Sequence, residues 1–101
     1  FLSTGGQGAM SVVSNVAPGE MVALFEAFVS GNLAEARRLQ LDLLPLAQAM
    51  FSESNPIPVK AAMAMLGHCR ADIRTPLTRL ASGHASSLRE LLTASGWLKE
   101  D

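Results

Sequence analysis

The sequence predicts a mostly helical α/β chain whose one β-strand belongs beside a larger sheet. Residues 9–13 form the only stretch with strand character, and four helical segments follow it. Only 17% of the 101 residues are charged, whereas a globular domain usually carries roughly 25% and a small domain should carry at least as much. We therefore expect part of the surface to face other protein.

The predicted strand, residues 9–13, lies between a glycine-rich run and Ser14-Asn15. No second strand follows it, and an unpaired strand would leave backbone N–H and C=O groups without partners. Its neighbours should therefore lie outside this sequence. The chain also begins at Phe1 without the pattern of a signal peptide, so we expect it to be a piece of a longer protein.

The first predicted helix runs from Pro18 to Ser30. Pro18 suits the first helical position, Glu20 is an acid at the positive end of the helix dipole, and Gly31 suits the C′ position. Apolar residues recur at the helical spacing i, i+3, i+4, i+7, i+8, namely Met21, Leu24, Phe25, Phe28 and Val29.

A second, longer helix follows a capping box formed by Asn32 and Glu35. Its apolar residues cover more than one side, so we expect neighbours on two faces. Pro45 has no backbone donor and clashes one turn back, so it should kink or divide the helix. The apolar residues are Leu33, Ala36, Leu39, Leu41, Leu43, Leu44, Leu46, Ala47 and Met50.

Two shorter helices are predicted in the second half of the chain. The two prolines of residues 55–58 exclude a regular helix there, and residues 59–66 form a helix that ends at Gly67. Residues 68–85 are predicted to be an irregular connector around Pro76 and Gly83. Ser87 and Glu90 make a capping box for the last helix, which has an apolar stripe and ends at Gly96. The stripe is Leu88, Leu91 and Leu92.

Charge and cysteine content exclude several classes of protein. The formal charge is −1, and Lys60 and Lys99 are the only lysines, so no basic stripe is available for nucleic acid. No apolar run reaches the ~18 residues of a membrane span. Cys69 is the only cysteine, which excludes an internal disulfide framework and a cysteine cluster for zinc and fits a cytoplasmic location. Nucleic acid and membrane are therefore not expected partners.

Several residues could carry chemistry, and each has a simpler structural interpretation that we favour. The run Gly5-Gly6-Gln7-Gly8 could hold phosphate, but it precedes a strand and lacks the known glycine spacings, which favours a tight turn. Lys60 could form a Schiff base, although a lysine there is usually solvated with its stem packed down. His68-Cys69 has no further ligand at metal spacing, and His84 is expected alone in a loop.

The arginines and methionines also have simple interpretations. Of the arginines, Arg74 beside Thr75-Pro76 is the best placed to bind a carboxylate, but a salt bridge between connector and helix is the more common outcome. The others considered are Arg37, Arg38, Arg70 and Arg79. Methionines more often fill a core than surround a cofactor. We predict no catalytic residue, metal site or cofactor from these residues alone.

Three motifs, at residues 5–18, 55–62 and 74–77, resemble those of the dihydrodipicolinate synthase family within the pyruvate-dependent aldolase superfamily. Residues 5–18, GGQGAMSVVSNVAP, are similar to the family's G-x-x-G-x-I-S-V-x-A-N-V-x-P run. Residues 55–62, NPIPVKAA, are similar to N-P-I-P-V-K-x-A, and residues 74–77, RTPL, to R-x-P-L. The motifs stand in the family's order, and the second favours the synthase within the superfamily.

The resemblance implies the C-terminal part of a TIM (β/α)₈ barrel followed by a helical extension. Residues 1–31 would be the last β/α unit of the barrel, and residues 32–101 the C-terminal helical extension. The missing strand partners would then be the first and seventh strands of the barrel. The N-terminal portion of the barrel would be a partner that this sequence does not contain.

The resemblance also implies an activity and one site residue. Members of the family form a Schiff base between pyruvate and a lysine, then condense it with aspartate semialdehyde in lysine and diaminopimelate biosynthesis. The family's lysine, tyrosine and threonine pair, and its lysine-feedback site, lie upstream of Phe1. Met10 stands where the family has an isoleucine whose main chain lines the pyruvate pocket. The complete enzyme would be cytoplasmic and a homo-oligomer, either a dimer or a tetramer, and this piece alone inactive.

Two other functions stay open at this point. The parent could be another aldolase of the same barrel, such as an N-acetylneuraminate or 2-keto-3-deoxygluconate lyase. The chain could instead be an independent helical interaction module, which would fold as a monomer.

Overall fold

The computed structural model describes residues 1–99, which form five α-helices after a short 3-10 turn at Leu2–Thr4. The helices pack around one apolar core, to which the short helix α1 contributes Val13 and Val16. Their bounds are α1 Val13–Val16, α2 Pro18–Val29, α3 Leu33–Ala49, α4 Ile57–Met65 and α5 Ser82–Ala94.

The strand predicted at residues 9–13 is wrong for this structure. Residues 9–12 have no regular secondary structure, and Val13 opens α1. No segment among residues 1–99 lies beside them as a second strand, so their backbone groups have no ladder to join. Val12 already has helical dihedrals, with φ −59° and ψ −37°, which directs the chain into α1.

Helix α2 confirms the predicted helix at Pro18 to Ser30, and its end is the predicted one. Ser30 caps the helix, and Gly31 has φ +83°, a conformation that glycine adopts without steric cost. Asn32 then begins α3, since its Oδ1 accepts a hydrogen bond from the Glu35 N–H at 3.3 Å. The predicted cap is therefore present, and it turns α3 back to pack along α2.

Helix α3 runs through Pro45 without a break, so the expected division of this helix is wrong. Proline leaves the carbonyl one turn back without its helical donor. Leu41, Leu44 and Pro45 are all exposed, so water reaches this face of the helix. A kink at Pro45 stays a prediction.

Helix α4 starts at Ile57, two residues earlier than predicted, and includes Pro58 in its first turn. The first four N–H groups of a helix have no partner inside the helix, so a proline there loses no hydrogen bond. The predicted end is confirmed, because Gly67 follows the helix with φ +80°.

Helix α5 starts at Ser82, so the expected capping box at Ser87 and the connector up to residue 85 are wrong. The Ser87 hydroxyl lies inside the helix and donates to the Gly83 carbonyl at 3.2 Å. The N-terminus is instead supported from outside, because the Ala81 N–H donates to Glu53 Oε2 at 3.3 Å. The predicted end is confirmed by Gly96, with φ +78°.

The core joins α1, α3, α4 and α5 around side chains that water does not reach. Leu46, Met50, Ala62 and Leu92 are fully buried. Helix α2 packs on α3 and α1 and leaves its other side open, with Val22, Phe25 and Val29 exposed. On the far side of α3, Leu41 and Leu44 are also exposed. The neighbour expected on that side of α3 is absent among residues 1–99 and stays a prediction for the complete protein. Within residues 1–99, no helix is long and apolar enough to cross a membrane.

Candidate functional site

Met10, the one predicted substrate-binding residue, lies fully exposed just before α1. Two side chains shape the turn that follows it. The Ser14 hydroxyl donates to the Ser11 carbonyl, and Asn15 Nδ2 donates to the Val12 carbonyl at 3.1 Å. These bonds hold residues 11–15 as a compact turn into α1, and Met10 directly precedes that turn.

A groove of about 940 Å³ runs between residues 1–11, α2 and α3. Mostly apolar side chains line it, among them Phe1, Leu24, Phe25 and Phe28. Arg37 and Glu26 are the ionisable side chains among its lining residues. A groove of this kind suits apolar contact with another protein segment better than it suits a reaction.

The glycine run of residues 5–8 has the structure of a tight turn. Gly5 has φ +95° and closes the 3-10 turn by donating its N–H to the Leu2 carbonyl at 3.1 Å. A side chain at Gly6 would overlap the Phe1 ring. The close approach of Phe1 accounts for this glycine, which agrees with the simpler interpretation.

The candidate nucleophiles and ligands are dispersed. Lys60 is half-buried in the first part of α4, and its carbonyl accepts a weak hydrogen bond from Cys69 Sγ at 3.9 Å. His68 and Cys69 are exposed. His84 lies in α5 rather than in a loop, with Nδ1 at 3.4 Å from Glu53 Oε1. Among residues 1–99, no group of three His, Cys, Asp or Glu side chains could hold a metal ion.

The arginines form ion pairs that differ from those expected. Arg74 is exposed and belongs to no ion pair among the described residues, so its expected salt bridge is absent there. Asp72 instead pairs with Arg70 at 3.1 Å and with Arg79 at 3.5 Å. Both ion pairs lie within the connector between α4 and α5.

On α3, Arg38 pairs with Glu35 at 2.6 Å and with Asp42 at 2.7 Å. The hydrogen bond from Arg38 lowers the pKa of Glu35, and the same bond raises the pKa of Arg38. Both side chains are largely solvated, so this cluster orders the surface of α3 and does not form a reactive centre.

Two long-range contacts were not foreseen from the sequence. The Trp97 indole Nε1–H donates to Glu20 Oε1 at 3.0 Å, across 77 positions of sequence. Glu53 reaches the start of α5 across 28 positions. Neither acid stands in a local pattern with its partner, so no sequence signal could have paired them.

Comparison with known proteins identifies relatives for nearly the whole chain. The sequence model described as "Dihydrodipicolinate synthetase family" matches residues 1–95. The 4-hydroxy-tetrahydrodipicolinate synthase of Nitratidesulfovibrio vulgaris is 48% identical over 98 residues, which cover 97% of this chain and 34% of that protein. The chain thus spans about a third of the length of such relatives.

Solved structures agree with the sequence comparison. Dihydrodipicolinate synthase from Thermotoga maritima superposes with a TM-score of 0.93 at 45% identity, over 96% of this chain and 33% of that one. The chloride-inhibited enzyme from Acinetobacter baumannii, complexed with pyruvate, superposes with a TM-score of 0.88 at 35% identity, over 93% of this chain and 32% of that one. The helical arrangement described above therefore recurs within larger barrel enzymes.

Proposed function

Because this chain belongs to the dihydrodipicolinate synthetase family, we propose that it is the C-terminal part of an enzyme that condenses pyruvate with aspartate semialdehyde. The product would be 4-hydroxy-tetrahydrodipicolinate, on the route to diaminopimelate and lysine. The observation that carries this proposal is 48% identity over 98 residues with an enzyme of that name. Since the chain covers only 34% of that enzyme, most of the catalytic machinery would lie in the remainder.

Within such an enzyme, residues 1–31 would complete the barrel and residues 32–101 would form the helical extension. Two features of the structure support this division. Residues 6–11 lack regular secondary structure and have no strand beside them among residues 1–99, so any sheet partner of this segment would belong to the preceding part of the enzyme. Helices α3, α4 and α5 contribute most of the buried core, as expected of an extension that packs on itself.

Met10 would contribute its main chain to the pyruvate pocket. Active sites of TIM barrels lie at the carboxyl ends of the strands, and Met10 lies towards the end of the irregular segment of residues 6–11, just before the turn that leads into α1. A main-chain contact does not depend on side-chain identity, so methionine could serve where the family has isoleucine. The apolar wall beside the imine would change shape.

We assign no covalent role to the residues of this chain. In a Schiff-base lyase, a lysine amine adds to the keto carbon of pyruvate, water leaves, and the resulting enamine carbon attacks the aldehyde. Lys60 is half-buried on α4. It does not line the groove beside the N-terminal segment. The reactive lysine would therefore belong to the preceding part of the enzyme.

Borohydride trapping tests this proposal in the complete protein. Incubation with pyruvate and borohydride, followed by digestion and mass spectrometry, should place a stoichiometric adduct on a lysine outside these 101 residues. An adduct on Lys60 would contradict the assignment. Consumption of aspartate semialdehyde should accompany pyruvate consumption, whereas cleavage of N-acetylneuraminate or 2-keto-3-deoxygluconate instead would identify another aldolase of the superfamily.

We also propose that the complete enzyme is a cytoplasmic homo-oligomer, a dimer or a tetramer. Its support is the apolar surface that remains on α3 and just after it, where Leu41, Leu44 and Phe51 are exposed. Exposed apolar residues in a row along one element are typical of surfaces that meet other protein.

A further inference from the structure

A second cavity, of about 320 Å³, lies between α4, α5 and the connector that joins them. Larger aliphatic side chains from α4 and the connector line it, including Ile57 and Ile73. Four alanines also line it and leave its space open, namely Ala61, Ala64, Ala71 and Ala85. At a liquid share of about 30 Å³ for each water molecule, the volume equals that of roughly ten waters. The cavity therefore suits a small molecule with a compact apolar part.

The charged side chains of this cavity all have the same sign. Lys60, Arg79 and Arg89 line it, and no Asp or Glu does. Lys60 and Arg89 form no ion pair with a carboxylate within residues 1–99. Three cations beside an apolar space attract an anion. The Arg79 side chain is 72% exposed and Arg89 is also exposed, so water screens part of this attraction.

Arg79 has one acidic neighbour, but that neighbour already has a closer partner. Arg79 Nη2 lies 3.5 Å from Asp72 Oδ1, whereas Arg70 Nε lies 3.1 Å from Asp72 Oδ2. Asp72 does not line the cavity. A ligand carboxylate could therefore bind Arg79 while Asp72 stays paired with Arg70.

We propose that this cavity binds a small monocarboxylate with a compact apolar body. The planar guanidinium groups of Arg79 and Arg89 match the two oxygens of a carboxylate, and Lys60 adds a third positive charge. The apolar body lies against the aliphatic residues. This site is separate from the groove beside Met10, shares no residue with it, and does not depend on the proposed function.

Met65 gives a direct test, because this methionine lines the cavity. In the complete protein, with ¹³C-labelled methionine methyl groups, benzoate should shift the Met65 resonance in a saturable way. The resonance of Met50, which is fully buried in the core and does not line the cavity, serves as the internal reference. Benzamide has the same shape without the charge, and it should leave Met65 unchanged at equal concentrations.

Variants test the role of the charged side chains. Replacing both Arg79→Gln and Arg89→Gln should weaken benzoate binding at least about fivefold, the loss expected when about 1 kcal/mol of ion pairing is removed. Arg37→Gln, on α3 and outside this cavity, is the matched control and should bind as the unaltered protein does. Asp72→Asn should tighten binding about twofold, because it removes the competitor of the ligand for Arg79.

Several results would overturn the proposal. These are no shift of Met65 with benzoate, an equal shift with benzamide, or equal affinity in the double arginine variant. Inorganic phosphate as effective as benzoate would also overturn it, since the apolar part would then contribute nothing. If the double variant fails to fold, Asp72→Asn and Lys60→Gln decide, with tighter and weaker binding expected respectively, and unchanged affinity in both would reject the site.

Discussion

Asn32 shows how one residue sets the start of a long helix. Its side-chain oxygen accepts the Glu35 N–H, which satisfies one of the donors that a helix leaves free at its N-terminus. The Glu35 side chain does not return the bond expected of a full capping box. It pairs instead with Arg38, because Arg38 lies one turn further along the same helix and offers a charged partner.

Asn32→Ala should therefore loosen the first turn of α3. Loss of an N-cap side chain costs about 1 kcal/mol, so amide hydrogen exchange at Glu35 should accelerate about fivefold if it follows local opening. Asn32→Ser, which keeps a capping oxygen, is the control and should stay close to the unaltered protein. Equal exchange in the Ala and Ser variants would show that the cap contributes nothing.

Among the helices, ends were easier to predict than starts. Gly31, Gly67 and Gly96 each follow a helix with positive φ, and a glycine that can adopt this conformation is visible in the sequence. The predicted starts of α4 and α5 are wrong. The first depends on where a proline is tolerated, and the second depends on an acid 28 positions away.

Glu53 should matter more to the start of α5 than the local acid does. Glu53→Ala removes the acceptor of the Ala81 N–H and the partner of His84. By analogy with loss of a helix cap, the first turn of α5 should open more easily by about 1 kcal/mol. Hydrogen exchange of a peptide that covers residues 82–86 measures this opening.

Glu90→Ala is the matched control for this prediction. Glu90 is exposed on α5 and is the residue that the sequence suggested as part of a capping box. Its removal should leave exchange at residues 82–86 unchanged. Faster exchange in Glu90→Ala than in Glu53→Ala would favour the local cap over the remote one.

The predicted strand is absent because no partner strand lies beside it among residues 1–99. The β-propensity of its residues is not the reason. Residues 9–13 have the composition of a strand, but a strand is completed by the neighbour to which it is hydrogen-bonded. Met10 illustrates the same dependence for the site. The motif around it is recognisable from sequence, whereas the groups that the proposed pyruvate pocket requires would come from outside residues 1–99.

For the molecule as a whole, the packing of the helices leaves several large apolar side chains exposed to solvent. Val22 is 56% exposed, Val29 66% and Phe51 64%, and these residues lie on α2 and just after α3. The shortage of charge in the composition predicted such surfaces. It did not indicate which faces they would occupy, because that depends on how α2 packs on α3.

The isolated chain should therefore aggregate or stay molten. Its exposed apolar faces and its unpaired N-terminal segment favour association over a single packed state. Light scattering, binding of an apolar dye and near-ultraviolet circular dichroism measure this, with strong dye binding and weak aromatic signal expected. A monomer with a cooperative melt and a sharp amide spectrum would instead support an independent interaction module.

The bond between Trp97 and Glu20 gives this chain an optical reporter. Trp97 is the only tryptophan, and the chain has no tyrosine, so its near-ultraviolet emission comes almost entirely from one indole. That indole is half-buried and joins the segment after α5 to the first turn of α2. A red shift of its emission would therefore record the separation of the segment around Trp97 from α2 without any added label.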